Sequence, residues 1–315
     1  MSQSSASRYS PLYTIATILL AIAGLVYVIG GLSVESLEQL PLKQLSWWVL
    51  PAITVLHLAF LLLSAEIWRR VARALTGVWS GFGEAYLQVA AIVVGKYVPG
   101  KIWGFVARAG QMHRQQVPVH KSVLTGIVEQ VLILVGAAIV AIGAGIAAFP
   151  EHTKTIGIAG LALLVGAVIV TANVPAMTRW LMRKRGYVDV AITGEKFDWA
   201  GVLRFAVGYA VLWLISGVIF AIIYFALFDV AVSIERIAAL ILANTTGIVV
   251  GFFAFFAPGG LGVREAATTA VLAPFLPLRE ALLAAIVFRA WLVLFDGANA
   301  VILIAGESRR AMNSK

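Results

Sequence analysis

The residues of this chain that could do chemistry are charged side chains set inside apolar sequence. Arg264 and Glu265 open an apolar run directly behind Pro258-Gly259-Gly260-Leu261-Gly262. Lys96 and Lys101 flank Pro99-Gly100, and Arg108 follows two helical turns later. Arg289 and Asp296 lie two turns apart in the last apolar stretch, and Glu129 sits in a middle one. A charge in the bilayer interior costs about 2.5 kcal/mol or more, so an interior group of cations calls for a partner or a substrate. The half-helix after each break begins with free N–H groups and the positive end of its dipole, which attract anions. Arg108, Arg264, Arg289, Lys96 and Lys101 together suit the phosphate or pyrophosphate of a lipid head group. The competing reading is pairing inside the protein, with Glu129, Glu265, Asp296 and Glu84 as the available acids. Glu129 then serves as a salt-bridge partner or a proton-coupling site, and Asp296 as the partner of Arg289.

Two interrupted stretches position these groups. In the stronger one an apolar run stops at Pro258, and Gly259, Gly260 and Gly262 follow before a new run begins. Proline removes a backbone donor and clashes with the preceding turn. Glycine lets the chain reverse or approach another group closely. The weaker copy runs apolar, Pro99-Gly100, basic residue, apolar. Inside a bilayer such breaks must be buried in protein or line a polar cavity. Interrupted segments in corresponding halves point to a transporter-type binding site.

The composition makes this a polytopic helical membrane protein. Of 315 residues, 61% are hydrophobic and 12% charged, about half the charge of a soluble domain, and mean hydropathy is +0.95. With no cysteine there is neither disulfide nor thiolate chemistry. The net charge of +9 does not signal nucleic acid, because most basic residues cluster in short loops on one side. The expected fold is all-α, a single transmembrane domain over residues 1–315. Its first half covers about 13–177 with a broken hairpin at 84–110. Its second covers about 201–305 with a broken hairpin at 237–275. Apolar segments are expected at 13–32, 47–64, 122–149, 155–177, 201–228 and 281–305, with a polar stretch at 111–121 and a basic loop at 179–196. If both broken stretches are re-entrant, the cytoplasmic side holds Arg8, the Arg69–Arg70–Arg73 cluster, the basic loop from Arg179, and Arg309 and Arg310. The outside then holds only Lys43, Lys154, Arg236 and Arg279. That bias obeys the positive-inside rule and puts both termini in the cytoplasm. Three crossings separate the hairpins, so they enter from opposite faces as an inverted repeat and their tips meet near the midplane.

Several other residues read more blandly. Asn244, Thr245 and Thr246 are expected to bond between helices. Gly247 and Gly251 mark close packing, and His57 a core position. Trp47, Trp48, Trp68, Trp103, Trp180 and Trp199 read as interface anchors, Trp213 and Trp291 as packing. His113 and His120 have no acidic neighbour, so no metal site is expected. No cofactor motif, phosphate-binding glycine loop, zinc-protease motif or serine-nucleophile motif occurs. The chain is therefore expected not to be an enzyme.

Pro258-Gly259-Gly260-Leu261-Gly262-Val263-Arg264-Glu265-Ala266 resembles the PGGLGxREA signature of the lysylphosphatidylglycerol synthase transmembrane-region family, also called flippase-like membrane proteins. Pro99-Gly100, Arg108 and Glu129 resemble that family's first-half pattern. The resemblance covers nearly the whole chain. It implies the membrane part of such proteins, to which lipid flipping is assigned, rather than the synthase domain that attaches amino acids to phosphatidylglycerol. Where the family often has Arg after the glutamate, this chain has Gln130, so Glu129 needs a cation from elsewhere. The function expected is a flippase of the bacterial inner membrane, moving an anionic phospholipid or a polyprenyl-phosphate-linked lipid. The alternatives are a membrane-embedded lipid-modifying transferase and a non-catalytic lipid-binding partner of a separate synthase or glycosyltransferase.

Overall fold

The computed structural model describes residues 46–98, 102–184, 199–254 and 257–313. The expected segment at 13–32 lies outside them, as do Pro99, Gly100 and Lys101. Nine α-helices and no strand occur among the described residues: α1 (Val49–Thr76), α2 (Phe82–Gly95), α3 (Trp103–Arg114), α4 (Val119–Ala148), α5 (Thr153–Lys184), α6 (Trp199–Leu227), α7 (Ile234–Phe253), α8 (Val263–Leu272) and α9 (Leu278–Asn313). Of these, α1, α4, α6, α7 and α9 are long and apolar enough to cross a membrane.

These helices are apolar on the outside as well as within. Along α6, Leu203, Val207, Val211, Leu214 and Val218 form an exposed stripe at helical spacing, while Phe205, Tyr209, Leu212 and Phe220 are buried. A helix apolar on every side belongs in a lipid-facing bundle. The chain is thus a multi-pass membrane protein. Helix α4 is central, packing on α1, α3, α5, α6 and α7, and α9 touches both α2 and α8. The two broken hairpins are therefore held between α4 and α9.

In each hairpin the two arms lie against each other. A Cβ on Gly95 of α2 would lie 2.3 Å from the Gly104 Cα of α3, so these arms touch backbone to backbone. In the second hairpin, a Cβ on Gly251 of α7 would lie 3.0 Å from the Arg264 Cβ of α8, and one on Gly247 would overlap the Thr268 hydroxyl. With 14, 12 and 10 residues, α2, α3 and α8 reach only about 15–21 Å, short of a hydrocarbon core of about 30 Å. The second hairpin is lopsided, since the 20 residues of α7 are enough to span. Three helices, α4, α5 and α6, separate the hairpins.

Element ends differ from the sequence reading. The last stretch continues to Asn313, taking Arg309 and Arg310 into α9, and α5 continues to Lys184 through the first basic residues of the expected loop. The polar stretch at 111–121 is mostly helix, with only residues 115–118 between α3 and α4. Main-chain hydrogen bonds continue past the apolar zone, and basic side chains suit a helix C-terminus, so hydropathy marks the apolar core of a helix rather than its end.

The contact between the first hairpin's arms gives a test. Gly95→Ala must push α2 off α3, and overpacking costs about 1–3 kcal/mol. Gly83→Ala, whose Cβ meets nothing within 4 Å, should be neutral or slightly stabilising. Thermal unfolding in detergent should show a clear fall in midpoint for the first and none for the second. Equal midpoints would contradict the close packing.

Candidate functional site

Two groups of charged residues lie inside the bundle. In the first, Arg108 of α3 is 3% exposed. It pairs through Nη1 with the Glu129 carboxylate of α4 and donates from Nε to the Gln88 carbonyl at 2.9 Å. Its guanidinium carbon lies 3.8 Å from the Trp68 ring centroid. Trp68 Nε1 donates to Gln88 Oε1 at 2.7 Å, and the Tyr209 hydroxyl donates to Glu129 Oε1 at 3.3 Å. Five helices thus enclose one ion pair, and α3 supplies the cation that Gln130 cannot.

The second group gathers where the breaks meet. The Gly259 N–H donates to the Lys96 carbonyl at 2.9 Å, a main-chain bond from one hairpin tip to the other. Gly259, Gly260 and Gly262 have φ of 58°, 74° and 78°, a region that favours glycine. A Cβ on Gly259 would also lie 2.7 Å from Nη2 of Arg289 and 3.0 Å from the Tyr97 ring. Around this contact, Asp296 of α9 accepts from Lys96 Nζ at 2.7 Å and from the Tyr97 hydroxyl at 2.5 Å. Arg289, one helical face along α9, is 2% exposed, and its nearest carboxylate oxygen, Oε1 of Glu265, is 3.9 Å from Nε. Arg264 is buried as well. It donates from Nη2 to Asn244 Oδ1 at 3.3 Å, and its guanidinium lies 5.3 Å from the Phe288 ring centroid. No carboxylate pairs with it among the described residues.

The electrostatics of this group are unbalanced. Lys96, Arg264 and Arg289 face the carboxylates of Asp296 and Glu265, which leaves one positive charge in excess among the described residues. Hydrogen bonding is incomplete too. Nε and Nη2 of Arg289, Oε1 of Glu265, and the hydroxyls of Thr245 and Thr269 are buried without a partner among the described residues. Buried polar atoms are satisfied in the great majority of cases, so the unpartnered Nε of Arg289 and Oε1 of Glu265, 3.9 Å apart, mark a place that another polar group would complete.

Three expectations need correction. Arg108 does not join Arg264 and Arg289: it is sealed against Glu129, because the arms of the first hairpin turn it toward α4. The N-terminus of α8 is not free, since the Gly262 N–H already donates to Glu265 Oε2 at 2.7 Å. A residue three positions into a helix reaches back to its start, and this acid stands where an external anion was expected. Nor is there an open cavity at Arg264. A polar crevice lined by Asn244, Arg264, Glu265, Thr268, Phe220, Ala285 and Phe288 is too tight for a water-sized sphere.

Other residues were read differently or not at all. Trp68 is fully buried over Arg108 rather than an interface anchor. Asn244 does bond between helices, donating to Ser216 Oγ at 3.0 Å, but its oxygen also holds Arg264. Tyr97 and Gln88 carry no signal beyond a polar group in an apolar run. His57 is buried and stacks on Phe295, with ring centroids 3.9 Å apart. Among the described residues no three His, Asp or Glu side chains come together to hold a metal.

A family model described as the lysylphosphatidylglycerol synthase TM region matches residues 14–298. The chain belongs to that family. The match runs through both hairpins, α4 and α9 up to Ala298, and so spans both charged groups. No curated protein matches the chain.

For this family member, the sealed pair and the open group should respond differently to mutation. Arg108→Gln leaves Glu129 buried and unpaired, a loss of about 3–5 kcal/mol. Arg108→Met with Glu129→Leu removes both charges and should recover most of that. Thermal midpoints in detergent compare them. A double variant as unstable as the single one would contradict the assignment.

Proposed function

We propose that this protein moves a lipid with an anionic, phosphate-bearing head group across a bacterial inner membrane, with both termini in the cytoplasm and without covalent chemistry. The observation that carries this reading is the excess positive charge where the hairpin tips meet. Among the described residues, two nitrogens of Arg289 have no hydrogen-bond partner, Arg264 is hydrogen-bonded to a neutral amide, and Glu265 is the acid 3.9 Å from Arg289. An unbalanced cation in a low-dielectric interior is unfavourable on its own. A phosphate oxygen between the two guanidinium groups would relieve it, as arginine suits phosphate geometry. Glu265 acts as an internal stand-in for that phosphate. Its carboxylate occupies the start of α8 while the site is closed and yields Arg289 when a head group arrives.

The route follows from the hairpins. Among the described residues their tips are joined by a main-chain hydrogen bond and by the hold of Asp296 on Lys96 and Tyr97. Shifting either tip opens the crevice toward one face, and the acyl chains remain in lipid. The lipid is supplied or used by a separate synthase or glycosyltransferase. A lipid-modifying transferase is disfavoured, since the free acid nearest the site, Glu265, is already tied to Gly262.

Reconstitution into liposomes with labelled phospholipids tests this reading. Wild-type protein should accelerate transbilayer movement of an anionic phospholipid or a polyprenyl phosphate. Arg264→Gln and Arg289→Gln should each reduce the rate roughly tenfold or more, the worth of one hydrogen bond to a charged group, with little change in thermal midpoint. No acceleration with any anionic lipid would sink the proposal.

A further inference from the structure

A second concentration of positive charge lies far along the chain from the tips, on the last turns of α1. Arg69 and Arg70 share the carboxylate of Glu66, at 2.5 and 2.6 Å. Arg73 has no ion pair among the described residues and is exposed. One acid thus serves three arginines. Arg69 and Arg73 are one helical turn apart, where like charges repel. Both nevertheless lie against one ring: their guanidinium carbons are 4.2 and 4.9 Å from the Trp79 centroid. Arg69 is also 5.8 Å from the Phe82 centroid. The negative face of an aromatic ring attracts cations, so Trp79 holds two of them side by side. Arg69 Nε is buried and has no hydrogen-bond partner among the described residues.

The setting identifies the guest. Helix α1 is of spanning length and composition, and these arginines follow its apolar stretch, at the level where a helix leaves the hydrocarbon. Trp79 is 47% exposed and Phe82 39%, and exposed aromatic rings at that level mark the membrane–water interface. Basic residues there are drawn to anionic lipids. An acidic protein segment would match the charge but not the two rings, which suit glycerol and the first methylenes below a phosphate.

We infer that Arg69, Arg73 and Trp79 form an interfacial binding site for the phosphate of an anionic phospholipid, distinct from the buried arginines at the hairpin tips. The site stands at the foot of the first hairpin, since α2 begins at Phe82. It does not depend on transport, so it stands or falls separately.

Native mass spectrometry of the full chain, released from micelles containing phosphatidylglycerol and phosphatidylcholine, tests it. Wild-type protein should retain phosphatidylglycerol preferentially. Arg69→Gln with Arg73→Gln should lower that retention roughly tenfold or more, given the attraction of each arginine to an anionic surface, and leave phosphatidylcholine retention unchanged. Arg70→Gln, outside the ring contact, should retain as wild type. Should the double variant not fold, the exposed Arg73→Gln alone should still lower retention severalfold. Unchanged retention in the arginine variants, or an equal fall in Arg70→Gln, would overturn the site.

Discussion

A main-chain hydrogen bond, from Gly259 N–H to the Lys96 carbonyl, joins two helices that each stop inside an apolar bundle. A stopped helix leaves carbonyls and N–H groups that lipid cannot satisfy. In this chain one N–H and one carbonyl from the two ends satisfy each other. That requires both backbones to come within van der Waals contact, which in turn requires glycine at 259 and backbone conformations that only glycine adopts easily at 259, 260 and 262. Once the tips touch, the side chains beside them are brought together whatever their charge. Lys96, Arg264 and Arg289 thus share one small volume because the backbone puts them there.

The surrounding helices differ in how they treat charge. Around Arg108 the protein completes the shell: a carboxylate, a carbonyl, an indole face and a tyrosine hydroxyl behind the acid. Such a pair fixes the first hairpin against α4, and removing one member leaves a naked charge. Around Arg264 and Arg289 the shell is left incomplete. Buried neutral groups such as Asn244 and Phe288 stand where acids would balance the charge. One arginine group is fully partnered and the other is not, among the described residues.

Much of this was legible in the sequence because backbone breaks are written in residue types. Pro258 and three nearby glycines mark the second hairpin, and the charge bias of the loops leads to the expectation that both hairpins turn back and that their tips meet; the contact of the tips is seen. Which arginine faces which acid was not legible, since it depends on helix rotation, and rotation is set by contacts such as Gly95 on Gly104 that no single position announces. Arg108 and Arg264 look alike in sequence, each a basic residue following a break, and differ only in what α4 or α7 presents to them. Trp68 was misjudged for the same reason: a tryptophan near a run of arginines looks interfacial until an arginine from another helix lies on it. Glu265 was visible as an acid beside Arg264, but its reach back to Gly262 is a matter of local helix geometry.

Binding of an anionic head group by the buried, unbalanced arginines is tested most directly by calorimetric titration of the purified protein with short-chain phosphatidylglycerol, in a chain carrying Arg69→Gln and Arg73→Gln to silence the interface. Saturable binding that is lost on adding Arg289→Gln, with no binding of short-chain phosphatidylcholine, is the expected result. Equal binding of the charged and neutral lipids, or binding that survives loss of both Arg264 and Arg289, would contradict it.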